Sequence, residues 1–162
     1  MTNAKTKDIV ITRIFNAPRE RVWQAWTDPA EIKKWWGPKD FTCPDGTIDL
    51  RVGGKYNYCM RGPAGSDFDK DMWSGGEYKE VISMEKIVAT DYFTDKDGNW
   101  VSPQDYGMPG EWPEKMEVTV TFEDAGEGKT KLTIVHKGHP SEMADMAEQG
   151  WSQSLDKFDA IL

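Results

Sequence analysis

The change of hydrophobic period near the C-terminus constrains the fold most. Met116, Val118, Val120 and Phe122 alternate with Glu117, Thr119, Thr121 and Glu123, so one strand face is apolar and the other polar. Ala125 to Lys129 reads as a glycine-containing turn, and Leu132, Ile134 and His136 continue in phase on the next strand. After Gly138 and Pro140 the period becomes helical: Met143, Ala147, Trp151, Ser154, Phe158 and Ile161 share one stripe to the chain end. A long terminal helix with an apolar stripe and strands with an apolar face must cover each other.

The rest of the chain supplies the sheet. Asp8 to Phe15 is β-branched and apolar, and reads as a first strand. Ala17-Pro18 opens a helix with proline at its first position, and Val22, Ala25 and Trp26 fall on one face. Asp28-Pro29 opens a second short helix, with Glu31 at capping-box spacing; Gly37-Pro38 ends it after Ile32, Trp35 and Trp36. Phe41 to Val52, Lys55 to Arg61, Met72 to Met84 and Lys86 to Thr94 read as further strands, with Gly53-Gly54 as a two-residue hairpin. Asp95 to Glu114, rich in Gly, Pro and Asp, carries Trp100, Tyr106, Met108 and Trp112, and reads as a long loop that folds back over something. The expected class is α+β: a helix-grip fold, with a curved antiparallel sheet of about six to seven strands around the terminal helix. Two short helices follow strand one. The 162 residues form one domain, with residues 1–7 expected to be flexible.

Composition narrows the partners. The formal net charge of −8, with no compensating basic cluster, argues against nucleic acid and anionic membrane surfaces. The polar N-terminus has no signal core, and no stretch nears the roughly 20 apolar residues of a membrane span, so a cytoplasmic location is expected. Cys43 and Cys59 lack C-x-x-C spacing and are too few for a zinc site. The two-residue hairpin would set Cys59 opposite Ile48, about 17 Å along the strand from Cys43, so both are expected as reduced thiols. Asp67, Asp69 and Asp71, like Asp95, Asp97 and Asn99, imitate calcium loops. They lack the glycine and glutamate such loops need, and read as solvated turns. G-x-S-x-G, P-loop, G-x-G-x-x-G and H-E-x-x-H motifs are all missing, so neither metal nor cofactor is expected.

Tryptophan, with eight copies, is the compositional outlier and suggests a broad apolar interior not fully filled by the protein. Tyr56, Tyr58 and Met60 share a strand face; Met116, Val118, Ile134 and His136 face inward from the last strands; Trp151, Leu155 and Phe158 come from the helix. Trp26, Trp36, Trp73, Tyr78 and Phe93 complete the candidate lining. Apolar walls with a few hydroxyls and one imidazole suit an amphipathic ligand; the alternative is an ordinary filled core. His136 or Tyr58 could transfer protons, which would make the cavity the site of a cyclase, dehydratase or hydrolase. The plainer reading of His136 is a buried, hydrogen-bonded strand-end residue, and of His139 a helix-leading one. Asp49, Arg51 and Arg61 could form a charge cluster at the cavity mouth or a solvent-face salt bridge.

Several segments together resemble the SRPBCC (START-like) superfamily. These are Ala17-Pro18, Val22-Trp23, Ala25 to Pro29, Trp35-Trp36, Asp49 to Tyr56 and Met60 to Gly62. Gly76 to Tyr78, Met116 to Glu123, Lys129 to Ile134, and Gly150-Trp151 with Leu155 and Phe158 extend the likeness. The chain is most similar to the bacterial branch of homologues of the activator of the 90-kDa heat-shock-protein ATPase. That resemblance implies a helix-grip fold and a cavity that binds lipids, hormones, polyketides or other apolar small molecules. It also raises a chaperone-related interaction domain as an alternative. The eukaryotic activators carry a second, N-terminal chaperone-binding domain, for which this chain is expected to have no room. Monomer and homodimer are both compatible with the sequence.

Overall fold

A computed structural model describes residues 6–162. Seven strands and three α-helices follow one another: β1 (Thr6–Phe15), α1 (Arg19–Thr27), α2 (Pro29–Trp35), β2 (Gly46–Ile48), β3 (Lys55–Arg61), β4 (Asp71–Ile82), β5 (Lys86–Thr94), β6 (Met116–Gly126), β7 (Lys129–Pro140) and α3 (Ala144–Ile161). They form one antiparallel sheet in the order β1-β7-β6-β5-β4-β3-β2. Consecutive strands from β2 to β7 are neighbours, and β1 returns beside β7. The helix-grip expectation holds.

Buried residues recur every second position on β7, and on β6 with Val118 half-buried between Met116 and Val120, so that Val120, Phe122, Leu132, Ile134 and His136 share the inner face. The C-terminal half of α3 seals this face with Leu155 and Phe158, both fully buried. The Phe158 ring meets Phe15, Trp26 and Trp35 at centroid distances of 5.2, 5.5 and 4.8 Å. Each such side chain contributes about 1.5–3 kcal/mol by leaving water. Polar ties then fix the helix position. Arg13 of β1 reaches Asp156 at 2.7 Å and the Ser152 carbonyl at 2.9 Å, while Lys157 donates to the carbonyls of Pro38 and Phe41. Arg21 donates to the Ile161 carbonyl at 2.7 Å, placing a cation at the negative end of α3.

Several local expectations are revised. Thr6 and Lys7, expected to be flexible, pair with Pro140 and His139 in the sheet; residues 1–5 lie outside the described residues. Pro18 is the N-cap of α1, one position earlier than expected, because its carbonyl accepts from Arg21 and Val22. The capping box of α2 is half made. Asp28 Oδ1 accepts from the Ala30 N–H, but the Asp28 N–H already bonds Gln24 of α1, so Glu31 turns to Arg21 and Lys34.

The strand expected over Phe41 to Val52 shrinks to Gly46–Ile48 plus an isolated bridge between Thr42 and Arg61, consistent with Pro44 lacking an N–H. Gly53-Gly54 is not a two-residue hairpin. Gly53 N–H bonds the Tyr78 carbonyl and Tyr78 N–H bonds the Gly54 carbonyl, so the pair docks on β4. Ile48 then pairs with Tyr56, and Cys59 bonds Asp45 rather than lying opposite Ile48. Both cysteines are free and buried, and burial pushes the Cys43 thiol up to about 11 and the Cys59 thiol up to about 12. Arg61 pairs with Asp71 at 2.6 Å and Arg51 with Asp49 at 2.9 Å; these are separate exposed pairs, not one cluster. Asp69 caps the Gly65 N–H, and Asp95 caps the N–H groups of Asp97 and Asn99, as turns do. Among the described residues no side-chain cluster suited to a metal ion occurs, and no helix is long and apolar enough to cross a membrane.

Candidate functional site

The C-terminal half of α3 packs directly on the sheet, but its N-terminal half stands off. Beneath it lies a recess of about 420 Å³ between α3, the inner face of β3–β7 and the α1–α2 pair. Ten of the residues expected from sequence line it. Tyr56, Tyr58 and Met60 come from β3, Tyr78 from β4, Phe93 from β5, Val118 from β6 and His136 from β7. Trp26 on α1, Trp36 at the end of α2 and Trp151 on α3 close the other side. Trp36 meets Tyr58 at 4.7 Å and Trp151 at 5.5 Å between centroids, and Trp26 stacks parallel to Trp151 at 6.2 Å.

Five expected residues lie elsewhere. Ile134, Leu155 and Phe158 belong to the filled core, one helical turn or strand step beyond the recess. Trp73 projects from the opposite face of β4, between Cys59 and Thr94. Met116 packs at the strand end beside Gly138, below the recess wall. Sequence alternation names a face but not how far along that face the helix is lifted.

The recess has one polar wall. Asp91 projects into it from β5, on the same face as Ile87, Ala89 and Phe93. Its Oδ2 lies 2.7 Å from His136 Nε2, and its Oδ1 accepts from the Tyr56 hydroxyl at 3.2 Å. The same hydroxyl reaches the Thr90 carbonyl at 2.8 Å. Tyr56 pairs with Gly76, and must pass across β4 to meet β5. Glycine at 76 leaves that path open. It is also required by the close approach of β5, where a Cβ would stand 1.8 Å from the Thr90 carbonyl oxygen.

His136 is almost wholly buried, and the Trp151 indole N–H donates to its Nδ1 at 3.0 Å. The ring therefore carries its proton on Nε2. Nε2 faces Asp91 off the N–H axis, so the contact is close without being an aligned hydrogen bond. With Nδ1 occupied and Nε2 without accessible surface, neither nitrogen is open to a substrate in this conformation. The Tyr58 and Tyr78 rings both pack on Tyr56, at centroid distances of 5.0 and 5.4 Å. Burial raises the Tyr58 phenol well above its ordinary pKa and pushes Tyr78 up to about 12, so both remain protonated donors.

His139 stands behind this wall, with rings 4.2 Å from His136 and 5.8 Å from Trp112. Its buried Nδ1 has no hydrogen-bond partner, and burial lowers its pKa to about 4. Trp112 belongs to the 95–114 loop, which folds back as expected. Tyr106 donates to the Thr94 carbonyl and Trp100 to that of Glu114, while Met108 and Trp112 reach the recess. Asp91, Met72, Phe41 and the α3 residues Ala147 and Gly150 were not anticipated as lining. Asp91 carried a signal, being the charged member of an otherwise apolar alternation from Ile87 to Phe93.

A single antiparallel sheet gripping a long helix, with an aromatic recess between them, is the helix-grip architecture of the SRPBCC superfamily. The family described as Activator of Hsp90 ATPase homolog 1-like protein matches residues 16–162, and the chain belongs to it. Proteins of this superfamily commonly bind hydrophobic ligands. Among solved structures, protein CV1439 from Chromobacterium violaceum is 32% identical, with 95% of each chain covered and a TM-score of 0.74. Protein Ms6760 from Mycobacterium smegmatis is 26% identical over 97% of this chain and 94% of that one, with a TM-score of 0.73. The AHSA1 protein from Silicibacter pomeroyi shares the fold at 22% identity, with a TM-score of 0.72 over 95% of this chain and 96% of that one. No curated protein matches the chain.

Proposed function

We propose that this protein is a binding module that holds an apolar or aromatic small molecule between the sheet and the N-terminal half of α3. The observation that carries this reading is the recess of about 420 Å³, walled by Trp26, Trp36, Tyr58, Phe93, Trp112 and Trp151. That volume is in the range of small-molecule sites, and rigid aromatic walls suit a ligand that is mostly apolar. The 95–114 loop and the α1–α2 pair flank the recess and gate it in this reading, since Met108, Trp112 and Trp36 stand on their ends.

The test is native mass spectrometry of protein purified gently from its source, followed by release and identification of any small molecule. A discrete adduct is expected, and it should vanish in Trp151→Arg, which places a charge in the recess. An adduct retained by a folded Trp151→Arg variant would refute the site.

A further inference from the structure

The charges around the recess are lopsided. Asp91 is the one ionisable acid among its lining residues, and no lysine or arginine lines it. Lys157, on the helix that roofs the site, spends its ammonium on the carbonyls of Pro38 and Phe41. His136 offers no compensating cation, because its Nδ1 lone pair accepts the Trp151 N–H. An ionised carboxylate has about four acceptor positions. Asp91 Oδ1 shares the Tyr56 hydroxyl proton with the Thr90 carbonyl, and Oδ2 lies 2.7 Å from His136 Nε2, which leaves about two of those positions unfilled. Its side chain keeps 17% of its surface open. A partly desolvated acceptor with vacant lone pairs, set in an apolar wall, calls for a donor from whatever occupies the space.

We propose that the cavity selects hydrophobic molecules whose polar end is a protonated amine, held by Asp91, and disfavours molecules ending in a carboxylate. This rests on the ligand-binding reading above and narrows its chemistry. An ammonium supplies donors and charge together, which makes the contact with Asp91 stronger than a neutral hydroxyl could. Tyr56 and Phe93, which share the wall with Asp91, are aromatic, and a ring attracts a cation placed over its face. The chain's net charge of −8 also draws cations toward the opening. A carboxylate at the same place would meet Asp91 without an arginine or lysine to offset it, which costs binding free energy.

The experiment is isothermal titration calorimetry of the whole chain at neutral pH with three probes of matched size: naphthylethylamine, naphthylethanol and naphthylacetate. The amine is expected to bind about tenfold more tightly than the alcohol, with the acid weakest. In Asp91→Asn the advantage of the amine over the alcohol should disappear, the two binding with equal affinity. Equal affinities, or preference for the acid, in the wild-type protein would overturn the amine selectivity while leaving a ligand site in place. An amine preference that survives in Asp91→Asn would remove Asp91 as its source. Binding of none of the three would remove the ligand-binding reading and this inference with it. The wild-type rank order decides the matter even if Asp91→Asn fails to fold.

Discussion

Acidification should destabilise this protein through His139, by an amount the structure allows one to estimate. The ring is 4% exposed, its Nδ1 lacks a partner, and its neighbours are His136, Trp112 and, through His136, the Asp91 carboxylate. Burial outweighs the attraction of Asp91 and brings the His139 pKa from 6.5 down to about 4. In the unfolded chain the same imidazole takes up a proton near its ordinary value. Between those two values the unfolded state binds the extra proton and the native state does not, so stability falls as the pH falls. The contribution is fully present above about pH 6.5 and lost as the pH approaches about 4. At about 1.4 kcal/mol per pH unit the whole effect is about 3.5 kcal/mol, of which about 2.5 kcal/mol is gone by about pH 4.5. Carboxylates titrate over the lower part of this range too, so the measurement is a difference. Urea unfolding of the wild type and of His139→Gln is followed at about pH 7.5 and about pH 4.5. The variant should lose about 2.5 kcal/mol less on acidification, a change of about 1 M or more in relative midpoint. Parallel losses in the two proteins would refute the claim that a buried, neutral His139 underlies the acid sensitivity.

Two further substitutions probe the same wall. Trp151→Phe keeps an aromatic ring, smaller than the indole, and removes the N–H that satisfies His136 Nδ1, so unfolding by urea should show a loss of about 1–3 kcal/mol; an unchanged midpoint would mean that the indole bond is not formed in solution. Gly76→Ala would drive a methyl to 1.8 Å from the Thr90 carbonyl oxygen, and backbone cannot yield as a side-chain tip does. A loss of about 3 kcal/mol or more is expected, with disturbance of the Tyr56 and Asp91 resonances in NMR spectra; native-like stability would show that β4 and β5 separate more easily than their pairing implies.

The features legible in sequence were those with a local period. Alternation from Met116 to Phe122 and helical spacing from Met143 to Ile161 depend only on residues two to four apart, and both elements formed where the pattern put them. These two patterns placed Val118 and Trp151 on the recess side, and alternation on β3 did the same for Tyr56, Tyr58 and Met60, because a side chain's face follows from its place in the period. Gly53-Gly54 shows the limit. The dipeptide signals a turn, but its partner is Tyr78, more than twenty residues on, and that pairing moved the β2–β3 register. Glu31 behaved similarly, its capping role displaced by a distant Arg21 and an already occupied Asp28 N–H.

What the amino-acid order by itself determined is therefore the set of elements, their apolar faces and the grip of sheet on helix. Tertiary structure alone decided that α3 seals one half of the sheet and stands off the other, since that depends on the summed volumes of Phe15, Trp26, Trp35 and Phe158 meeting from four separate elements. It alone also brought Asp91, His136, Tyr56 and Trp151 to one wall. They come from β5, β7, β3 and α3, and their contacts are set by strand register and helix rotation, which no local period encodes.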